Sequence, residues 1–342
     1  MGSSDRAEVV RNTAVVLLMI GVAMLLVQLS FVFLLIFAAI MVATLIRAAA
    51  IPFERLGVRD TPAVFLGVVG IIALFWLVVT LFGSQLGRQF GIVAGQLPGA
   101  VQDARSWAEG VPFLQSFLSA TPDLQSILNR VVTVAFGAVG AITNLVLVII
   151  AAIYLALQPG LYATGVARLF PRDEGPRVRQ ALVASGLAMR KYLLGQFFTM
   201  AVVGTLVFAG LSLVGVPSAA ALGVIVGLAN FVPLIGPFVG AVPGLLLAFA
   251  QSPDIGIQAA VVYLVAQQLE GNVLTPLVQR YAVSIPPALL LFALAGLGSL
   301  FGVVGALVSA PLAVVLYTLV TMLWTRDALG HDVAVPGIER DG

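Results

Sequence analysis

Residues 230–244 read NFVPLIGPFVGAVPG. This stretch holds Pro233, Pro237 and Pro243 together with Gly236, Gly240 and Gly244, and it carries no charge. The apolar segments on either side, 218–232 and 234–250, are 15 and 17 residues long. Both fall short of the roughly 20 residues that a straight helix needs to cross the hydrocarbon core. Proline removes a backbone donor and glycine weakens a helix, so the sequence itself interrupts a membrane segment here. Broken backbone at membrane depth is tolerated only where protein or a water-filled cavity satisfies its polar groups. Such a break fits a binding site, and Asn230 adds a side-chain amide to it; the plainer alternative is a proline-kinked hairpin that serves packing alone.

The whole chain shares this apolar character. Of 342 residues, 61% are hydrophobic and 9% charged, and the mean hydropathy is +1.11. A soluble domain carries about 25% charged residues, and several uncharged stretches here meet the length of a membrane span. The expected class is an all-α polytopic membrane protein. Apolar segments fall at 13–29, 31–46, 61–82, 131–157, 193–214, 218–232, 234–250, 255–275, 286–299 and 301–324. The first two meet at Gln28-Leu29-Ser30, either as a hairpin or as one long bent helix. A hairpin fits better, because 35 uncharged residues exceed one crossing. The apolar run from Thr13 is also too long for a cleavable signal.

Several function classes are excluded by what the chain lacks. It has no cysteine and one histidine, His331 in the polar tail, which removes thiol chemistry and argues against metal-hydrolase or Ser-His-Asp catalysis. No phosphate-binding glycine loop is present, and the single lysine, Lys191, follows Arg190. No catalytic residue, metal site or organic cofactor is expected, and the net charge of +2 gives no reason to expect nucleic acid as a partner. The lipid bilayer is the expected environment.

Arginine placement orients the chain. Arg6 and Arg11 precede the first span, Arg47, Arg55 and Arg59 precede the third, and Arg168, Arg172, Arg177, Arg179, Arg190 and Lys191 fill the region 158–192. By the positive-inside rule all of these face the cytoplasm, with both termini inside. The chain then divides into N-terminal membrane helices (1–82), an extracytoplasmic amphipathic helical arm (83–130), a membrane helix (131–158), a basic cytoplasmic loop and helix (159–192), a C-terminal membrane core with broken helices (193–325) and a polar tail (326–342). In the arm, Leu86, Phe90, Val93 and Leu97 recur at helical spacing, and Thr121-Pro122-Asp123 reads as a helix start. Its apolar face needs a partner: the protein's own spans, the lipid interface or a neighbouring subunit.

Ionisable residues inside apolar segments are costly and therefore functional candidates. Glu270 is the strongest, within Tyr263-Leu-Val-Ala-Gln-Gln-Leu-Glu-Gly-Asn272. At 100° per residue Tyr263, Gln267 and Glu270 share one helix face, while Gln268 and Asn272 point elsewhere. This stripe suits a cation, a proton or a small polar solute; the alternative is an interfacial carboxylate paired with Arg280. Together with Asn230 and Asn272 these residues form the candidate substrate or ion site. A second interrupted region follows at 286–311, where Gly298, Gly302, Ala306 and Ala310 repeat every four residues. Short, Gly/Pro-interrupted segments in two places point to a transporter's binding site.

Three motifs carry a family resemblance. Residues 227–243, with Asn230, Pro233, Gly236, Pro237, Gly240 and Pro243, resemble the signature of the autoinducer-2 exporter (AI-2E) family. So do Gln267-Gln268-Leu-Glu270-Gly271-Asn272-Val-Leu-Thr-Pro276 and the stretch 301–311, which contains Gly302, Gly305 and Pro311. Tyr192-Leu-Leu-Gly195-Gln196 also fits. The resemblance extends over about residues 10–325 and implies a bacterial inner-membrane permease with about eight membrane helices that self-assembles into a homo-oligomer. It implies export of a small polar solute such as autoinducer-2, or antiport of sodium or lithium against protons. The residues themselves leave open a secondary transporter coupled to sodium or protons and a passive oligomeric channel.

Overall fold

The computed structural model describes residues 3–109, 141–281, 285–331 and 333. Every regular element among them is helical: α1 (Ser3–Arg55), α2 (Asp60–Glu109), α3 (Ala141–Leu157), α4 (Pro159–Ala167), α5 (Gly175–Val214), α6 (Ala219–Ala229), α7 (Gly236–Gln251), α8 (Pro253–Leu269), α9 (Thr275–Tyr281) and α10 (Pro287–Leu319). The π-helical segments Glu270–Leu274 and Val320–Arg326 follow α8 and α10. The protein is an all-α polytopic membrane protein. Four helical stretches among the described residues are long and apolar enough to cross a bilayer: Asn12–Arg55, Asp60–Thr80, Gly175–Val214 and Pro287–Arg326. Counting the bent pair Asn144–Leu157 and Pro159–Ala167 as one span makes five, and Ala219–Ala229 and Gly236–Gln251 are shorter apolar helices.

The hairpin expected at residues 28–30 is absent. α1 runs through this region as part of one 53-residue helix, about 80 Å long at 1.5 Å per residue. Neither Gln28 nor Ser30 breaks a helix, and the Ser30 hydroxyl donates to the Val27 carbonyl at 2.6 Å, as serine does within helices. Arg6 and Arg11 therefore stand near one end of a single rod, and Arg47 and Arg55 near the other. The chain turns back after α1 instead, at Gly57 with φ +87°, where Arg47 ion-pairs with Asp60 and Glu54. Ala43, Ile46 and Ala50 of α1 then pack on Ala63 and Val64 of α2 and on Ala152 and Ala156 of α3.

The segment expected to form an outer arm begins as the uninterrupted continuation of α2, which is 50 residues long. Its apolar face finds a partner in the protein itself: Val93 and Ala100 are buried with α5, α6 and α7 residues, and Phe90 and Leu97 pack against the same cluster. The remainder of that arm, including Phe113, Phe117 and Thr121-Pro122-Asp123, lies outside the described residues.

Proline and glycine set the ends of the core helices. Pro159, Pro176, Pro237, Pro253 and Pro287 all sit in first turns, where the missing N–H has no helical partner to lose. α5 ends on Gly215 with φ +84°, the left-handed cap that glycine favours. Gly204 and Gly223 bring α5 and α6 together backbone to backbone: a Cβ on Gly223 would stand 2.7 Å from the Gly204 carbonyl oxygen, and one on Gly227 2.9 Å from the Met200 carbonyl oxygen. Small residues permit this approach where no hydrophobic force drives helices together in lipid.

α10 is two arms rather than one rod. Gly302 has φ 61° and ψ −139°, close to a region that only glycine occupies without strain. A Cβ on Gly305 would overlap the Leu297 carbonyl, although eight residues of straight helix would separate the two by about 12 Å. The chain therefore doubles back at Gly302, with arms over 287–301 and 303–319.

The α5–α6 contact yields a direct prediction. Gly204→Leu must push the two backbones apart and is expected to cost about 1–3 kcal/mol, the usual penalty for overpacking. The readout is a lower unfolding temperature of the detergent-solubilised protein. Gly70→Ala, placed where nothing lies within 4 Å of the new Cβ, is expected to leave that temperature unchanged or raise it.

Candidate functional site

The break between α6 and α7 is a turn over residues 230–235 that starts on buried Asn230 and exposes Leu234 and Ile235. Asn230 follows the last residue of α6 and still donates its N–H to the Val226 carbonyl at 2.9 Å. Beyond it Val232 N–H donates to the Ala229 carbonyl at 3.0 Å, and Gly236 N–H to the Val232 carbonyl at 2.9 Å. Leu234 adopts φ +72°, a conformation that costs a side-chain-bearing residue on the order of 1–3 kcal/mol. Pro233 lies in this turn, and Pro237 sits in the first turn of α7. A Cβ on Gly236 would overlap the Ala229 carbonyl, and one on Gly240 would stand 2.8 Å from the Val226 Cα. Pro243 lies inside α7 without ending it.

Two ends of α6 are held from outside. At its C-terminal end, Gln196 of α5 donates Nε2–H to the Asn230 carbonyl at 2.5 Å, with Gln196 itself buried. At its N-terminal end, Ala221 N–H donates to the Gln89 side-chain oxygen of α2 at 3.0 Å. Each bond satisfies a backbone group that the short helix leaves open. Neither glutamine belongs to the expected site. The signal for Gln196 was present: on an apolar helix it lies on the same buried stripe as Leu193, Thr199 and Val203.

The Asn230 side chain is 0% exposed, and among the described residues neither its amide nitrogen nor its oxygen has a hydrogen-bond partner. Glu270 approaches from α8. Its carboxyl group interacts with the Asn230 amide, yet the pair does not reach hydrogen-bond geometry, and one Glu270 oxygen is buried without a partner. Glu270 stands where α8 passes into the π-helical segment Glu270–Leu274. Such single-turn widenings recur at functional sites, because the extra residue re-aims side chains.

The other expected residues are placed as follows. Gln267 is partly buried, one turn before Glu270. Tyr263, two turns before it, is buried with an unpartnered hydroxyl that fills the space beside Gly244 of α7. Asn272 is exposed and donates to the Gln268 side chain at 3.0 Å, so the structure does not bring it to Asn230. The Arg280 side chain, the alternative partner for Glu270, lies outside the described residues. Gly302 and Gly305 form the α10 reversal, and Pro311 is buried within the second arm. No group of three or more candidate metal ligands occurs among the described residues.

Comparison with known proteins adds a family. Residues 14–324 match the model of the AI-2E family transporter. Three relatives that carry the name "Putative transport protein" are similar to this chain. YueF of Bacillus subtilis is 31% identical over 200 residues, 56% of this chain and 53% of YueF. YrrI of the same organism is 35% identical over 127 residues, 36% of this chain and 35% of YrrI. MT0215 of Mycobacterium tuberculosis is 26% identical over 288 residues, 80% of this chain and 78% of MT0215. The chain thus covers about half of YueF and about a third of YrrI.

The Gln196–Asn230 bond can be tested on its own. Gln196→Leu leaves the Asn230 carbonyl buried without its donor, a loss of about 1–3 kcal/mol. The expected result is a lower unfolding temperature in detergent. An unchanged temperature would show that this bond does not hold the end of α6.

Proposed function

The chain belongs to the AI-2E transporter family, and from that membership we propose that it is a secondary transporter whose site lies at the α6–α7 break. Its cargo is a small polar solute of the autoinducer-2 kind, moved at the expense of a sodium or proton gradient. The observation that carries this reading is the pairing of Asn230 and Glu270: a fully buried amide beside a half-buried carboxyl group with one buried oxygen, their polar atoms left unpartnered among the described residues. Buried polar atoms in native proteins are almost always satisfied, and an ionisable group in a membrane helix marks a path for ions or substrate. A cation, a proton or a hydroxyl-bearing solute is what such a pair lacks. In this scheme Glu270 binds the coupling ion, Asn230 supplies a donor and an acceptor to the cargo, and Gln196 holds the Asn230 backbone in place.

The same carboxyl group supports a second reading, antiport of sodium or lithium against protons without an organic cargo. One titratable group that a proton and a metal cation occupy in turn is sufficient for it. In either case the protein acts by moving its cargo rather than by catalysis. The bacterial relatives support placement in the inner membrane. The basic region 158–192 is then the cytoplasmic side, and association into a homo-oligomer would cover part of the exposed apolar surface.

Purified protein in liposomes, with sodium and proton gradients varied independently, distinguishes these modes. Glu270→Gln is expected to insert and unfold as the parent protein does while losing gradient-driven flux by at least ten-fold. Gradient-driven flux that survives in this variant would defeat the proposal. Flux that never exceeds the solute's own gradient in the parent protein would instead identify a passive channel.

A further inference from the structure

A second site lies away from the break, where the chain bends between α3 and α4. Pro159 opens α4 directly after Gln158, and the two helix axes meet at 86°. α4 therefore runs nearly at right angles to the apolar helix before it. It ends in a loop that exposes Leu169 at 82% and Phe170 at 45%, and Leu161 on α4 is 62% exposed. Exposed apolar and aromatic side chains on a segment lying across the end of a membrane helix belong at the headgroup level of a leaflet.

Under this elbow is a cleft of about 540 Å³ between α1, α3, α4 and α5. Its walls are apolar, with Ile40 from α1, Leu155 from α3, and Leu182, Val183 and Leu187 from α5. Gly160 and Gly186 also line it, and nothing lies within 4 Å of where a Cβ on either would stand. Arg47, Arg179 and Arg190 border the same space. A neighbouring cleft of about 500 Å³ is bordered by Arg168, Arg172 and again Arg179. Arg179 is thus the shared boundary between an apolar slot and a basic recess.

Among the described residues, one of the arginines bordering this pair of clefts is neutralised from within the protein and four are not. Arg47 is engaged by Asp60 and Glu54. Among the described residues Arg168, Arg172, Arg179 and Arg190 form no ion pair, and the loop acids Asp173 and Glu174 border neither cleft. Guanidinium groups bind phosphate oxygens in fork geometry, and basic pockets between membrane helices receive anionic headgroups.

We propose that this elbow is a binding site for an anionic phospholipid, with its phosphate on Arg179 and Arg190 and an acyl chain in the slot between α1 and α5. A free phosphate or a soluble anion would leave the apolar slot empty, and a zwitterionic lipid would leave the arginines without a net counter-charge. The lipid would join α1, the α3–α4 bend and α5 at a place where the protein leaves a gap.

The test uses delipidated, detergent-solubilised full-length protein, titrated with phosphatidylglycerol, phosphatidylcholine or inorganic phosphate and read by native mass spectrometry and by unfolding temperature. Phosphatidylglycerol is expected to bind and raise the unfolding temperature, with phosphatidylcholine at least ten-fold weaker and inorganic phosphate failing to compete. The Arg179→Gln/Arg190→Gln pair is expected to lose at least ten-fold in phosphatidylglycerol affinity. Gly186→Leu, which fills the slot without touching a charge, is expected to do the same. The pair Arg55→Gln/Arg59→Gln, exposed residues at the turn after α1, serves as the control and is expected to bind as the parent does. Equal binding of phosphatidylcholine, or equal loss in the control pair, would overturn the site in favour of diffuse attraction to charge. Retained affinity in Gly186→Leu would overturn the acyl slot.

Discussion

A helix that ends inside an apolar body leaves backbone groups with nothing to bond, and the region around α6 is organised by that constraint. α6 is 11 residues long, about 16 Å, with Ala219 at its start and Asn230 just past its end buried. Water satisfies such ends in soluble domains; here two glutamines from other helices each satisfy one of these groups. Gln89 of α2 accepts from the start of α6, and Gln196 of α5 donates to the residue at its end. The glycines that let α5 and α6 touch through their backbones bring Gln196 within reach. The small residues and the two amides are therefore parts of one solution.

That solution leaves one side-chain pair outside it. The Asn230 backbone is bonded on both sides, its N–H donating to Val226 and its carbonyl accepting from Gln196, whereas the Asn230 amide and the Glu270 carboxyl group retain unpartnered atoms among the described residues. The widened turn at Glu270 and the tight approach of Tyr263 to Gly244 bring α8 against the broken pair, so the carboxyl group arrives on a helix packed in place rather than on a loop.

Much of this was legible in the sequence because proline and glycine act locally. Pro233, Gly236 and Pro237 announce a break wherever the rest of the chain goes, and the fall in charge announces the membrane. Features that depend on partners were not legible. Gln28 and Ser30 read as a turn only because 35 uncharged residues seemed too many for one crossing, yet nothing in those side chains opposes a helix, and α1 continues through them. Gln89 and Gln196 are ordinary amides until the helix they cap is placed beside them. Asn272 belongs to the same sequence cluster as Glu270, and helical spacing already turned it away from the Glu270 stripe; its bond to Gln268 on the exposed face agrees. Gly302 was legible as part of a second interrupted region and of a small-residue repeat, whereas the positive φ that makes it the reversal point is a property of the folded chain.

The two glutamine bonds give α6 a mechanical character. α6 is pinned near its start to α2 and at its end to α5, which it also meets backbone to backbone at Gly204 and Gly223. If α2 and α5 shift relative to one another, α6 must rotate about a pin or release it. Because Asn230 is itself the second pin, any such rotation is delivered to the residue that faces Glu270. The Gln89 region of α2, distant in sequence from the break, thus touches the start of the helix that ends in it.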